Sequence, residues 1–187
     1  MSKIPPHATC VFKGQIFDTY QWQQELYDGT VTIFEMLKRP DTVVVLPLSG
    51  KSIYYSKQEQ PSKPPFLSLF GGRVENGEQP LDAAKRELSE ESGLTSPHWQ
   101  HWKTFSSGGS KIEWNVHYFI ARNCVKTEEP NLDGGEKIEI IKTTLKKFLN
   151  TVVSEENFAE LELKQSLYSN FNPMAYSKIE QEFLGNI

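Results

Sequence analysis

The sequence predicts an α/β chain in which a sheet is sandwiched between helices. Two observations carry that prediction. Strand-like and helix-like segments alternate along the chain, and residues 41–48 form a nearly unbroken β-branched run of the kind covered on both faces. A length of 187 residues, 37% hydrophobic and 12% aromatic, suffices for one substantial core without covalent staples.

The elements follow in order. Alternating residues predict strands over Cys10 to Phe12, Gln15 to Trp22 and Val31 to Leu37, separated by Gly14 and by the Asp28-Gly29 turn. Asp41 to Leu48 is the central strand, and Ser52 to Tyr55 a shorter one. A polar, proline-broken loop is expected over Ser56 to Pro65, then an extended approach from Pro64 to Phe70. Gly71 to Gly77 reads as a loop whose glycines permit tight turning and close backbone approach. Pro80 suits the first turn of a helix that Gly93 would end, and Leu81, Ala84 and Leu88 give it an apolar stripe at i, i+3 and i+7. Beyond it, Trp102 to Phe105 and Ile112 to Ala121 predict strands across the Ser106 to Ser110 loop, and Glu136 to Lys142 another. Helices are expected around Thr144 to Leu149, Glu155 to Leu167 and Pro173 to Leu184.

The helix behind the glycine loop carries the chemistry. Glu87, Glu90 and Glu91 crowd one edge of it, about a quarter-turn from the apolar stripe, because residues three and four apart are helical neighbours. They also fall near its C-terminal end, where the backbone dipole favours positive charge. A solvated acidic face is the usual reason for a Glu-Glu pair, but it explains neither the glycine turn nor the arginine. A hard divalent cation such as Mg²⁺ explains the cluster, since it takes oxygen ligands and cancels the repulsion that would raise the carboxylate pKa values. Arg86 lies close enough to pair with a carboxylate and fix its rotamer.

Gly72, five residues, Glu78, seven residues, then Arg86-Glu87-Leu88-Ser89-Glu90-Glu91-Ser92-Gly93-Leu94 resembles the Nudix box at every fixed position of Gly-x5-Glu-x7-Arg-Glu-U-x-Glu-Glu-x-Gly-U. The box covers 23 of 187 residues, and the flanking pattern fits the family's domain. The resemblance implies an α/β/α sandwich with a mixed sheet, plus an N-terminal antiparallel sheet. It also implies Mg²⁺-dependent hydrolysis of a nucleoside diphosphate linked to another moiety, with Mn²⁺ as an alternative ion. On it, Glu87, Glu90 and Glu91 hold the metal with the backbone carbonyl of Gly71. Arg86 orients them, and Glu78 and Gly72 support the turn. A bridging diphosphate repels a nucleophile, so cations on its oxygens and a base for water are both needed. In ADP-ribose pyrophosphatase relatives a glutamate in a distant loop is that base, which points to Glu136 in the acidic, glycine-hinged segment Thr127 to Glu139 that reads as a closing lid. Glu139 and Glu129 stand behind it, and a box glutamate such as Glu91 is the other source; a solvated loop without chemistry is the competing reading.

Residues 1–40 look like the N-terminal sheet of the ADP-ribose and nucleotide-sugar branch, where that sheet crosses to a second subunit; residues 41–187 form the catalytic domain with its C-terminal helices. The resemblance thus implies a homodimer in which Tyr20 or Trp22 stacks a base and Arg39 and Arg73 meet substrate, although an aromatic on an amphipathic strand equally serves as core. Two departures broaden the substrate beyond ADP-ribose: Ser68-Leu69-Phe70 stands where that branch carries Glu-Leu-Pro, and Gly108-Gly109-Ser110 stands where it carries a downstream proline. The expected substrates are nucleoside diphosphate sugars of ADP-ribose, UDP-glucose or GDP-mannose type. Dinucleoside polyphosphate or nucleoside triphosphate hydrolysis, and a non-catalytic nucleotide sensor, are the alternatives.

Composition narrows the field further. A formal net charge of −4 without a basic run argues against a nucleic-acid partner. No stretch is apolar enough to cross a bilayer and the N-terminus lacks a signal-peptide core, so no membrane partner is expected. Cys10 and Cys124 form no metal or redox motif, which fits a reduced, cytoplasmic setting. Gly50-Lys51-Ser52 imitates the end of a P-loop, but Val45 stands where that motif needs glycine, so it reads as a turn. His98 and His101 lack a third ligand nearby and read as a link between helix and strand.

Overall fold

The computed structural model describes residues 2–132, 134–168 and 173–185, with the side chains of 173–176 outside the description. In chain order the strands and helices are β1 (Thr9–Lys13), β2 (Asp18–Glu25), β3 (Val31–Lys38), β4 (Thr42–Ser49), β5 (Ser52–Glu59), β6 (Phe66–Ser68), α1 (Pro80–Ser92), β7 (Leu94–Thr95), β8 (His98–Ser107), β9 (Ile112–Arg122), β10 (Val125–Lys126), β11 (Lys137–Thr144), α2 (Leu145–Ser154), α3 (Leu161–Tyr168) and α4 (Pro173–Leu184). The main sheet runs β1-β2-β3-β9-β4-β5-β11, with β6 beside β5 and β8 beside β9. It is mixed: β9 lies parallel to both β3 and β4 and antiparallel to β8. The expected α/β/α architecture is observed.

The valine-rich run is the central strand because both its faces are packed. Val43 and Val45 meet Ala83, Ala84 and Leu88 of α1 on one side. Leu46 and Leu48 belong on the other to a core completed by Phe148 of α2, Leu163 of α3 and Phe183 of α4. Each such fully buried Leu or Phe contributes about 1.5–3 kcal/mol, and the two alanines let α1 approach β4 closely. Helix α1 starts with Pro80 at its first turn and stops at Gly93, whose φ of +67° is the left-handed cap and whose N–H bonds the Ser89 carbonyl.

Several boundaries differ from the sequence reading, among them β2 at Asp18–Glu25 and α2 running to Ser154, and three of the differences have a tertiary reason. Strand β5 runs on to Glu59 through the expected loop, because β11 pairs with it over its whole length, Lys137 with Glu59 through Thr144 with Ser52. Strand β8 begins at His98, since Trp99 to His101 pair with Phe119 to Ala121, so the two histidines lie in a strand and not in a link. Residues 155–160 are not helical: Leu67 donates to the Asn157 carbonyl, Ala159 donates back to Leu67, and Phe158 is buried in the core. Gly50 sits in a turn at φ +58°, as the rejected P-loop reading requires.

The three N-terminal strands form an antiparallel set that joins the rest through two parallel pairs, Leu37 with Ile112 and Lys38 with Glu113. No helix among the described residues is long and apolar enough to cross a membrane.

Candidate active site

The strands deliver the glycine loop to the edge of α1. Val43 and Val45 of β4 donate to the carbonyls of Gly72 and Phe70, which pins the start of the loop against the central strand. Gly71 has φ +154°, and a Cβ there would lie 2.0 Å from the Val43 carbonyl oxygen, so no side chain fits. Gly72 serves a different purpose: a Cβ would stand 2.3 Å from one Glu87 carboxylate oxygen and 2.7 Å from the other. The two glycines therefore clear space for backbone on one side and for an acid on the other.

Arg86 is the hub of the acidic edge. Its Nε donates to Glu78 at 3.0 Å, one terminal nitrogen donates to Glu87 at 2.9 Å and Glu90 at 3.0 Å, and the other reaches Glu78 and the Arg73 carbonyl. The hydrogen bonds from Arg86 lower the Glu78 pKa and, with Glu78 the largest contributor, raise that of the arginine. Glu91 is turned away from this hub and accepts the Gly71 N–H at 2.8 Å. At 6% exposure its carboxyl is pushed well above the usual range by burial, against the Gly71 hydrogen bond and reinforced by Glu87, Glu136 and Glu160. Glu87 is raised too, chiefly by burial, with Arg86 opposing.

A cavity of about 710 Å³ collects these groups: Gly71, Gly72, Arg73, Arg86, Glu87, Glu90, Glu91 and Glu136 line it, with Gln60, Asn76, Asn131 and Leu132 around them. Among the described residues no three acidic, histidine or cysteine side chains are preassembled as a metal-ligand group, because Arg86 draws Glu87 and Glu90 to itself. The donor set nonetheless fits a hard divalent cation: the carboxylates of Glu75, Glu87, Glu90, Glu91 and Glu136 line one cavity, and burial raises the pKa of Glu87 and Glu91, a cost that a bound cation would offset.

A second cavity of about 610 Å³ shares Pro40, Val74, Glu75 and Asn76 with the first, and is lined on its far side by Lys13, Tyr20, Lys38, Arg39, Asp41 and Asn115. Arg39 stacks over Trp114 at 4.4 Å and faces Phe17 at 5.8 Å; its Nε is buried with no hydrogen-bond partner among the described residues. Burial and the like charge of Arg73 lower its pKa.

The structure gathers Glu87, Glu90, Glu91, Gly71, Gly72, Arg73, Arg86 and Glu136 at the first cavity, with Glu78 on the Arg86 hub, and places Tyr20 and Arg39 at the second. Trp22 is not brought there. It is 9% exposed and packs with Phe34, Ile4 and Met36, and its indole N–H is used by Gln24, so within this chain it is core of the N-terminal sheet. Of the other base candidates, Glu129 pairs with Lys126 at 2.8 Å and Glu139 lies opposite Lys57 on β11; neither lines the acidic cavity. The first half of the expected lid is tied down: Thr127 and Glu128 donate to the Gly93 carbonyl, the Asn131 backbone N–H donates to the Glu90 backbone carbonyl at 2.7 Å, and Ser89 bonds Glu128. Sequence reasoning missed Gln60, which it placed in a loop, and gave no role to Asn131 and Leu132 within the expected lid. It also missed Glu160, which the expected helix over 155–167 hid.

Comparison with known proteins decides the family. The NUDIX domain model matches residues 38–158, which contain the glycine loop, α1 and Glu136. The chain belongs to the Nudix family. It is 32% identical over 149 residues to a Bacillus subtilis protein named ADP-ribose pyrophosphatase, covering 78% of this chain and 80% of that one. A Bacillus methanolicus protein named methanol dehydrogenase activator is 24% identical over 145 residues, 76% of this chain and 78% of its own. A solved structure described as an ADP compounds hydrolase superposes with a TM-score of 0.73, covering 97% of this chain and 95% of its own at 18% identity, a likeness of fold. Nudix enzymes generally use a divalent metal.

Proposed function

We propose that this Nudix pyrophosphohydrolase cleaves the diphosphate bond of nucleoside diphosphate sugars of ADP-ribose, UDP-glucose or GDP-mannose type, yielding a nucleoside monophosphate and a sugar phosphate. The observation that carries the reading is the continuity of two cavities, one acidic and one of mixed charge that holds Lys13, Lys38, Arg39 and the ring of Tyr20, meeting at Pro40 and Val74 to Asn76. A substrate with a diphosphate in its middle matches that sequence of surfaces, and the similarity to a protein named ADP-ribose pyrophosphatase supports it.

In this reading the nucleoside occupies the second cavity beside Tyr20, where Arg39 and Arg73 meet the phosphates. The sugar points towards Gln60 and Asn131, whose side-chain amides suit hydroxyl groups, with Leu132 beside them. Glu87, Glu90 and Glu91, with the Gly71 carbonyl, hold Mg²⁺ or Mn²⁺; bound there, the ion supplies neutralisation of the diphosphate oxygens and polarisation of the bond. Arg86 keeps Glu87 and Glu90 in place between turnovers, and Glu78 in turn fixes Arg86. Glu136 accepts the proton of the attacking water.

A homodimer built through residues 1–40 suits the exposed Val11, Phe12, Val31 and Ile33 on β1 and β3. A cytoplasmic setting suits two unpaired thiols, Cys10 exposed and Cys124 buried. The test is incubation with a nucleotide-sugar panel, with and without Mg²⁺, in ¹⁸O-labelled water. Metal-dependent release of nucleoside monophosphate with label in one product is expected; nucleotide binding without cleavage would replace the reading with a sensor. Light scattering at micromolar concentration should report a dimer, and a monomer would remove that part.

A further inference from the structure

We infer that Glu160 is a positioning residue for the acidic site, acting through the strand edge at Leu67 to Gly71 whose outward N–H groups hold Glu160 and Glu91 in series. The inference rests on the proposed reading of Glu91 as a metal ligand.

Along this segment the even-numbered residues face β5 and β4: Ser68 pairs with Ser56, and the Phe70 carbonyl accepts from Val45. The odd-numbered N–H groups point the other way and each meets a different acceptor. Leu67 donates to the Asn157 carbonyl at 3.1 Å, Leu69 to Glu160 Oε1 at 2.9 Å, and Gly71 to Glu91 Oε2 at 2.8 Å. Two residues of strand advance about 6.6 Å, so the two carboxylates stand one ladder step apart on a single edge. Ser68 Oγ adds a second bond to Glu160 Oε1 at 2.8 Å, and a buried line of Gln58 to Ser56 to the Ser68 carbonyl backs it.

Glu160 is only 7% exposed, and its second oxygen is buried with no hydrogen-bond partner among the described residues. A carboxylate is costly to bury, and an apolar residue would fill the place at lower cost, so packing alone does not account for it. What it does is complete the ladder between a backbone partner and the site: it fixes the peptide at Ser68 and Leu69, and through it the direction of the Gly71 N–H. That N–H is the only hydrogen bond Glu91 makes among the described residues. Chain order separates the two acids by 69 positions, and the residues after α2 turn back to the sheet, with Phe158 bridging Leu67, to deliver this side chain.

The test compares wild type, Glu160→Ala and Glu160→Gln, with Ser68→Ala as a milder variant that removes one of the two Oε1 bonds and serves if Glu160→Ala does not fold. Hydrogen exchange should show the Leu69 and Gly71 amides opening at least ten-fold faster in Glu160→Ala, while Glu160→Gln, which keeps the acceptor oxygen, stays within three-fold of wild type. Mn²⁺ binding, followed by paramagnetic resonance on protein with the metal alone, should weaken about ten-fold in Glu160→Ala and about three-fold in Ser68→Ala, with the Gln variant restoring it. An unchanged Gly71 amide, or faster exchange with Mn²⁺ affinity intact, overturns the positioning role. Wild type that binds no Mn²⁺ overturns the metal reading instead, and leaves the ladder to be decided by the exchange of Gly71.

Discussion

Replacing Gly72 by alanine separates the site from the fold more cleanly than removing any acid. The added Cβ would stand 2.3 Å from a Glu87 oxygen and 2.5 Å from its carboxyl carbon, where ordinary contact begins at 3.4 Å. The carboxylate must therefore retreat by about 1 Å. It can do so, because it is the far end of a flexible side chain and Gly72 does not need positive φ, so stability should change by no more than about 1 kcal/mol. Metal ligands tolerate about 0.2 Å, and a misplacement of about 1 Å costs roughly 10²-fold in rate. The expected result is a kcat/KM for the best nucleotide sugar about 10²-fold below wild type, a loss of about 2.7 kcal/mol in transition-state stabilisation, with the melting temperature nearly unchanged. Gly71→Ala is the contrast: its Cβ would strike the Val43 carbonyl at 2.0 Å, which is backbone, and that variant should lose the fold. Activity of Gly72→Ala within three-fold of wild type would show that the Glu87 carboxylate has no part in the reaction.

Three further outcomes are expected. Glu91→Gln should abolish turnover and, in chelator, melt higher than wild type at pH 8 but not at pH 4. Burial raises the Glu91 pKa, so the stability tied to its neutral form is complete below the ordinary carboxylate range and is lost as pH rises through the raised value; calorimetry at both pH values checks this, and equal melting at pH 8 would refute it. Glu136→Gln should lower kcat by about 10²–10⁴-fold with little change in KM, and wild-type turnover would return the base role to the box. Arg39→Met keeps most of the stacked volume over Trp114 but removes the cation, so KM should rise about ten-fold with kcat nearly constant; steady-state kinetics on one substrate suffices.

The acidic helix was legible because its chemistry is local. A 100° step per residue fixes which glutamates share an edge, and the Pro80 and Gly93 signals fix where the helix begins and ends, with no help from the rest of the chain. What tertiary pairing decides was not legible. Ser56 to Glu59 look like loop until β11 lies beside them, and Trp22 and Tyr20, two residues apart on the same face of β2, differ only in what the fold places over each. Glu160 was hidden by phase: read as helix, 155–160 scatters its side chains around an axis, whereas the turn and the Phe158 bridge aim Glu160 at the Leu69 amide. The acidic loop illustrates the same limit, since its composition suggested freedom while Asn131 and Thr127 tie it to the end of α1.

The joint between the first three strands and the remainder has consequences of its own. Two rungs, Leu37 with Ile112 and Lys38 with Glu113, connect them, and Tyr20 lies on one side of that seam while the glutamates lie on the other. A cassette joined by these two rungs and by the bonds of Ser2, Lys3, Ile4 and Lys38 to Glu113 can be exchanged if those contacts are rebuilt. Transplanting a foreign amino-terminal cassette onto position 41 should therefore yield chimaeras that keep their rate but prefer a different nucleobase.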